Sequence, residues 1–551
     1  MSDKTCVLVF GATGLFGELL VRRLACEQNY TVVGVARNQS RLNALQTDTG
    51  ISTAVVDINE EVSVAATLRQ WSPFAVVDCA GPFQFYGNDP YCFARQVLHA
   101  GSHYIDIADA PAFVCGITEL DSLARERSLL AISGASSAPA ISAAAVDRLV
   151  EALQTIALIE IAIVPGNRAR RTLSVMKAIM GQIGQPFLLT RHNQQETVHG
   201  WTETKEINLS LPASAPVCGR LASLVNTPEL LLFPKRYKAA SVAVFAGLEM
   251  RGFHRLLQLC GKMVQTGVLP SLLPLVKPAR LIASGFERFG SDVGGMQVRV
   301  IGDNSRGQIL RRTWDLVAGD GNGPNIPTLP VSVLLDKLDS GLYEAGARHS
   351  CGEVSLNDLQ THFEAIGAVT AINEEELQPM FKVALGESFQ TLPPPVQALH
   401  NKVGKSVYRG KAKSLGPTGV SGRLAAFIFR FPGAAVNVPV EVTIIADVNS
   451  EVWHRNFNGK VFKSQIALTA QGKATERFGP LTVSLGLHVK DGCLHYPVTG
   501  GKLFCVIPLP TICLPKSIAH ESVDSHGRFT FDVCILTPFG ARIAHYKGWL
   551  S

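Results

Sequence analysis

The chain's twelve cysteines form no C-x-x-C pair, which argues against zinc ribbons and thioredoxin-like chemistry. No other grouping of His, Cys, Asp or Glu has metal-ligand spacing, so no metal is expected. An RNP motif, zinc-finger spacing and a basic helix with interleaved aromatics are all lacking, and no nucleic-acid partner is expected. The net charge of +6 over 551 residues tolerates anionic partners without marking one. No apolar run reaches the roughly 18–20 residues that a membrane span needs. Residues 128–146 are interrupted by Gly134 and Pro139, and 263–276 are short and carry Pro270 and Pro274. Charged residues make up only 17% against 46% hydrophobic, the balance of a globular protein with large cores. Met1–Lys4 run straight into an apolar strand, so no signal peptide is expected. With unpaired thiols, the cytoplasm is the expected compartment.

What is present begins with Gly11-Ala12-Thr13-Gly14-Leu15-Phe16-Gly17. Thr5–Phe10 before it read as a buried strand, and Glu18–Gln28 after it as a helix with Leu19, Leu20 and Leu24 at helical spacing. Gly11 lets the chain turn off the strand. Gly14 removes a Cβ where a pyrophosphate would approach, and Gly17 lets helix and sheet pack closely. The first helical N–H groups then face the anion. Thr13, Leu15 and Phe16 belong to the same loop. The second strand, Tyr30–Ala36, ends in Arg37, with Ser40 and Arg41 behind it, where an NAD site usually places an acid. Forked guanidinium donors suit a 2′-phosphate, so the expected cofactor is NADP(H). Asp57, after a third strand over 53–56, and the turn Ala80-Gly81-Pro82, after a fourth over 75–79, complete the expected nucleotide site.

Further elements follow at 62–70 and 91–100 (helices), 103–109 (a strand end), 129–134 (a strand), 140–153 (a helix) and 155–164 (a strand). His103, Tyr104 and Asp106 are the candidate acid–base residues, with Asp109 beside them, because hydride transfer to a carbonyl or imine needs a nearby proton donor. The alternative is that they pin a loop and satisfy buried backbone groups. Cys79 reads as a small buried residue rather than a nucleophile. Of nine tyrosines none has Lys four residues on. Tyr91 comes nearest, with Arg95, which stays protonated and cannot relay a proton as lysine can. That excludes the Y-x-x-x-K chemistry of short-chain dehydrogenases.

The glycine loop, DCAGPFQFYG at Asp78–Gly87, GSHYIDIAD at Gly101–Asp109 and GASSAP at Gly134–Pro139 together resemble the saccharopine-dehydrogenase-like oxidoreductases. The resemblance covers about the first 140 residues well and continues more weakly to about 365. It implies an NADP-binding Rossmann domain, then a mixed α/β domain over the nicotinamide end. The chain departs from the family in having Ala108-Asp109 where many members have Gly-Glu. Trp453–Gln465, Glu476–Leu481 and His545–Leu550 resemble a C-terminal domain of unknown function that often follows such domains in bacteria.

Three domains are therefore expected: 1–138, a doubly wound parallel Rossmann sheet; 139–370, a mixed α/β substrate domain whose last helices return to the first; and 371–551, β-rich. Arg168, Arg170 and Arg171 either hold a substrate carboxylate or lie on a solvated turn. Gln297–Ile301 and Gln308–Val317 should pair around a polar turn. Val331–Leu338 should be a helix, and Ser355 with Asp358 a capping box opening another. Residues 388–440 hold seven Lys or Arg and no acid, with Pro393–Pro395 reading as a linker. From Val440 the pattern becomes β. Residues 250–286 carry five basic residues, no acidic one before Glu287, and many aliphatics. They read either as a segment in peripheral contact with an anionic membrane or as a buried helical pair. Two functions stay open: an oxidoreductase acting on an apolar small-molecule carbonyl or imine, and a non-catalytic NADP(H)-binding protein whose β domain is a binding module.

Overall fold

The computed structural model describes residues 5–551 except 171, 213, 448, 470 and 505–506. The expectations for Met1–Lys4 and Arg171 lie outside the described residues. The chain divides into two compact units, Met1–Ile301 with Arg311–Glu374, and Gly302–Leu310 with Glu375–Ser551.

The first unit opens with β1 (Cys6–Phe10), α1 (Leu15–Glu27), β2 (Thr31–Ala36), α2 (Gln39–Thr49), β3 (Ser52–Val55), α3 (Glu61–Trp71), β4 (Ala75–Asp78), α4 (Cys92–His99) and β5 (His103–Asp106). The last strand of this run, β6, is Leu130–Ser133. The sheet order is Gly346–His349, β6, β5, β4, β1, β2, β3. Every pair in it is parallel. β1, β4, β5 and β6 are almost wholly buried, which is why they read as continuous apolar runs rather than alternating ones. The chain re-enters this sheet late: Gly346–His349 pairs with β6, Arg23 of α1 donates to Thr328 (2.6 Å), the N-cap of the helix Leu329–Asp339, and Tyr30, just before β2, donates to Asp336 of that helix (2.9 Å). The helix Leu356–Ala365 opens with the full capping box of Ser355 and Asp358.

The second sheet is mixed, in the order Thr204–Leu209, Val217–Leu224, Val242–Leu248, Leu153–Val164, Gly294–Asn304, Ile309–Ala318, Val369–Leu377. The helix expected over 140–153 is only Ser142–Leu149, because the long central strand claims Leu153 onward.

The second unit contains a 13-stranded antiparallel sheet. It begins at Gly404–Leu415, well before Val440. Pro393–Pro395 form no linker: Pro393 precedes the helix Pro394–His400, and Pro394 and Pro395 fill its first turn, where a missing N–H costs nothing. Asp491-Gly492, both with positive φ, form the hairpin turn between His488–Lys490 and Cys493–His495.

His400, at the end of that helix, is wholly buried between two carboxylates. Its Nε2 lies 2.7 Å from Glu521 and its Nδ1 3.4 Å from Glu451. Burial alone would lower its pKa, but the two carboxylates raise it to about 10. A raised histidine pKa contributes stability that is complete below the unfolded value near 6.5 and is lost as pH climbs through the folded value. Calorimetric melts should therefore show the second unit losing stability from about pH 6.5 to 10. His400→Leu should cost it about 3–5 kcal/mol at pH 7, since two buried carboxylates then lack their partner.

Candidate functional site

The site begins where two backbones touch. Gly11, at φ +76°, lies so close to the β4 turn that a Cβ would stand 2.6 Å from the Cys79 carbonyl and 2.7 Å from the Ala80 Cα. A Cβ on Gly17 would collide with the Gly11 carbonyl oxygen. Gly14 differs: the one atom within 4 Å of its Cβ position is Gly11 O, at 3.1 Å. That open space lies at the head of α1, where Gly14 is the N-cap and no side chain caps the helix. α1 starts at Leu15 rather than Glu18, so the loop and the first helical turn are one feature. The residues present therefore fit a dinucleotide: a helix N-terminus without a side-chain cap, approached past a glycine whose Cβ position meets only one backbone oxygen.

The basic residues stand at one end of this loop. Arg41 donates to the Thr13 carbonyl at 3.4 Å. Asn38, which the sequence reading passed over, caps α2 by accepting from the Arg41 N–H at 2.9 Å. Arg37 is three-quarters exposed and lies 3.6 Å from Asp57. The Asp57 carboxyl is held below its usual range, chiefly by the Asn59 backbone N–H, then by the Asn59 side chain and Arg37. Ser40 is exposed on the first turn of α2. Gly11, Thr13, Gly14, Leu15, Phe16, Arg37, Arg41 and Asp57 thus lie at the carboxyl ends of β1, β2 and β3, and Ala80-Gly81-Pro82 follow β4 at the same edge.

Two carboxyl groups sit side by side beneath that edge. Asp78 and Asp106 are register partners on β4 and β5, and neither is exposed. Asp78 accepts from the Ala80 N–H (2.9 Å), the Tyr86 hydroxyl (2.9 Å) and the Tyr104 hydroxyl (3.3 Å). Burial raises its pKa to about 6 against these hydrogen bonds. Asp106 Oδ1 accepts from the Gly134 N–H (2.8 Å), the Ala108 N–H and the Ser133 hydroxyl (2.9 Å each). Its Oδ2 is buried and has no partner. Burial is again the main cause, with Asp78 adding to it, of a pKa raised to about 7. A carboxyl so placed holds a proton near neutral pH and can release it.

The structure does not bring His103 to this edge. It stands at the start of β5, the opposite end of the sheet, packed edge-on against Phe74 and Tyr343. Its Nδ1 accepts from the Leu130 N–H at 3.0 Å, and burial lowers its pKa to about 4. Tyr104 is buried and reaches the site through Asp78, not directly. Asp109 is exposed and accepts from Gln84 at 3.1 Å. Burial pushes the Cys79 thiol well up, against nucleophilic use. Arg168 and Arg170 are exposed. Among the described residues no group of three or more His, Cys, Asp or Glu could hold a metal ion.

The comparisons with known proteins bear on this geometry. Residues 7–90 match the NAD dependent epimerase/dehydratase family, and residues 392–550 match a domain of unknown function, DUF4166. A saccharopine dehydrogenase (L-Glu forming) from Saccharomyces cerevisiae superposes with a TM-score of 0.51 at 14% identity, covering 67% of this chain and 100% of that one. About two thirds of the chain has the fold of a saccharopine dehydrogenase. GenD2 of gentamicin A biosynthesis, solved with NAD (13% identity, 69% of this chain and 97% of that one), reaches a TM-score of only 0.32. The scyllo-inositol dehydrogenase of Lactobacillus casei (13%, 44% and 70%) reaches 0.26. Both fall below the level at which a superposition supports an argument. No curated protein matches the chain by sequence. At 14% identity the saccharopine dehydrogenase likeness shows the fold alone.

Asp106 offers a direct check. Asp106→Asn keeps an acceptor at Oδ1 and a neutral group at the second position, so the fold should survive. Asp106→Leu strips the acceptor from three donors and should cost about 3 kcal/mol or more. A carboxyl whose folded pKa exceeds its unfolded value near 3.9 stabilises the fold below that value and loses the benefit as pH rises through about 7. Urea titrations should show wild type losing stability relative to Asp106→Asn between pH 4 and 8.

Proposed function

We propose that the chain is an NADP(H)-dependent oxidoreductase that transfers a hydride to or from a carbonyl or imine carbon of an apolar small molecule. The observation that carries the reading is the cleared space at Gly14, at the uncapped head of α1, with Arg41 tied to the same loop through Thr13. Gly11, Thr13, Gly14, Leu15, Phe16 and Gly17 would hold the pyrophosphate. Arg37, Ser40 and Arg41 would take the 2′-phosphate, Asp57 would flank the adenine, and Ala80, Gly81 and Pro82 would line the way to the nicotinamide. NADPH, when bound, supplies the hydride. Asp106 holds the proton that balances it, at Oδ2, while its Oδ1 anchors the β6 turn; Tyr104 positions Asp78 beside it. Residues 1–138 form the nucleotide domain in this reading, 139–370 the substrate domain and 371–551 an appended β domain. The described cysteines are all free thiols, which suits a reducing, cytoplasmic compartment.

We also infer peripheral membrane contact for residues 250–286, supported by their exposed side chains. The helices Arg251–Gln265 and Val276–Gly285 leave Leu256, Leu259, Leu275, Leu281 and Ile282 exposed, together with Arg255, Lys262, Lys277 and Arg280. Apolar side chains beside cations suit an anionic interface. Among the described residues no helix is long and apolar enough to cross a membrane.

Calorimetry should find NADPH bound at least tenfold more tightly than NADH, and Arg37→Asp should remove that preference. Equal wild-type affinities would end the NADP assignment. Gly14→Val should abolish binding of both nucleotides with only a small drop in melting temperature, since the new side chain presses on the Gly11 carbonyl oxygen alone and not on the core. Vesicles containing phosphatidylserine should float the protein at low salt but not at high salt, and Leu281→Glu should weaken flotation. Failure to float at low salt would remove the membrane reading and leave the oxidoreductase one intact.

A further inference from the structure

The antiparallel sheet of the second unit curls around a cavity of about 230 Å³. Strands distant in its order contribute to one lining: Val483 from Leu481–Leu485, Phe478 from Ala474–Phe478, and, from beyond the sheet's midpoint, Val533 of Phe529–Leu536 and Ile543 of Arg542–Leu550. Phe431 closes one side. The space exceeds the ~150 Å³ apolar cavity that is known to accept benzene. Cores of this kind ordinarily fill to close packing, so an unfilled apolar space of this size within a curled sheet has the character of a ligand site.

Its polar groups define what fits. Glu521 and Tyr496 line it and are already engaged behind the wall: Glu521 and Glu451 hold His400, Trp453 Nε1 donates to Glu451 at 2.9 Å, and the Tyr496 hydroxyl lies 3.3 Å from His400. Arg455 and Glu476 are the second set. Arg455 donates to Ser464 at 2.8 Å and its guanidinium lies over Trp453, 4.7 Å from the ring centre. It stands 3.9 Å from Glu476, too far for a direct hydrogen bond. Both line the cavity, and burial raises the Glu476 pKa. The cations and carboxylates largely offset one another, so an added charge would enter an apolar space without a counterion. A neutral ligand oxygen, by contrast, meets the Arg455 donor, and a ligand hydroxyl can also donate to Glu476.

We propose that the C-terminal domain is a binding module for a neutral, mainly apolar small molecule whose carbonyl or hydroxyl oxygen accepts a hydrogen bond from Arg455. The site lies wholly within the second unit and is independent of the nucleotide cleft.

Prodan, a neutral naphthalene bearing a ketone, serves as the probe on the full chain, with 2-(dimethylamino)naphthalene as the same aromatic body lacking the ketone. Prodan fluorescence should shift to the blue and saturate at one site per chain, and NADPH should not displace it. Val533→Trp fills the cavity and should weaken binding at least tenfold with unchanged circular dichroism; Ile535→Phe, on the same strand and also lining the cavity, is the second variant should the first fail to fold. Arg455→Met should weaken prodan at least tenfold while changing the ketone-free probe less than twofold. Unsaturable binding, displacement by NADPH, or full affinity in the folded cavity-filling variant would overturn the site. Equal losses for both probes in Arg455→Met would overturn the assignment of the oxygen.

Discussion

The first unit depends on one close approach between two stretches of backbone. Gly11 sits against the Cys79–Ala80 peptide with no room for a side chain, and this contact joins the carboxyl ends of β1 and β4. Once they are joined, α1 must leave β1 directly, with Gly17 packed on the Gly11 carbonyl. Its N-terminus carries no side-chain cap, with Gly14 at the N-cap. The same contact sets the β4 turn beside the loop, so the expected phosphate end and the chemical end of the cleft share one foundation. A side chain at Gly11 would disturb both, whereas one at Gly14 would meet only the Gly11 carbonyl oxygen.

At Asp78 and Asp106, loop pinning coincides with desolvation of a carboxyl. A buried carboxyl that accepts three hydrogen bonds is ordinarily a structural anchor. Here all three fall on one oxygen of Asp106, and the second oxygen is left bare beside another buried acid. Desolvation and the neighbouring carboxyl then favour the protonated form. The Ser133 and Gly134 contacts come from β6 and its turn, so the anchor links the end of β5 to the next loop of the cleft.

What was legible in the sequence was local. Strand, glycine turn and helix announce themselves within thirty residues, and Ser355 with Asp358 is a self-contained capping device. Arg37 and Arg41 could be placed because strand ends in this architecture have fixed neighbours. His103 was misplaced because the motif around it spans a whole strand, and the polar residues at its two ends look alike in sequence. The parallel register puts His103 at one edge of the sheet and Asp106 at the other. Ser133, Asn38 and Tyr86 carried no signal, since each acts through a partner far along the chain or through a single cap. The proline triplet looked like a linker because three prolines suit an extended chain, yet two of them also suit a first helical turn. The Arg455 and Glu476 gap was invisible, because it exists only when the sheet curls.

The central claim is that the first unit uses its glycine loop to hold NADP(H), with the 2′-phosphate on the arginines after β2. The most direct measurement is an experimental structure of the full chain with NADP⁺ added. The expected result is density for the pyrophosphate against Gly14 and the head of α1, with the 2′-phosphate between Arg37 and Arg41. A nucleotide bound elsewhere, or none bound at saturating concentration with the loop open, would contradict it.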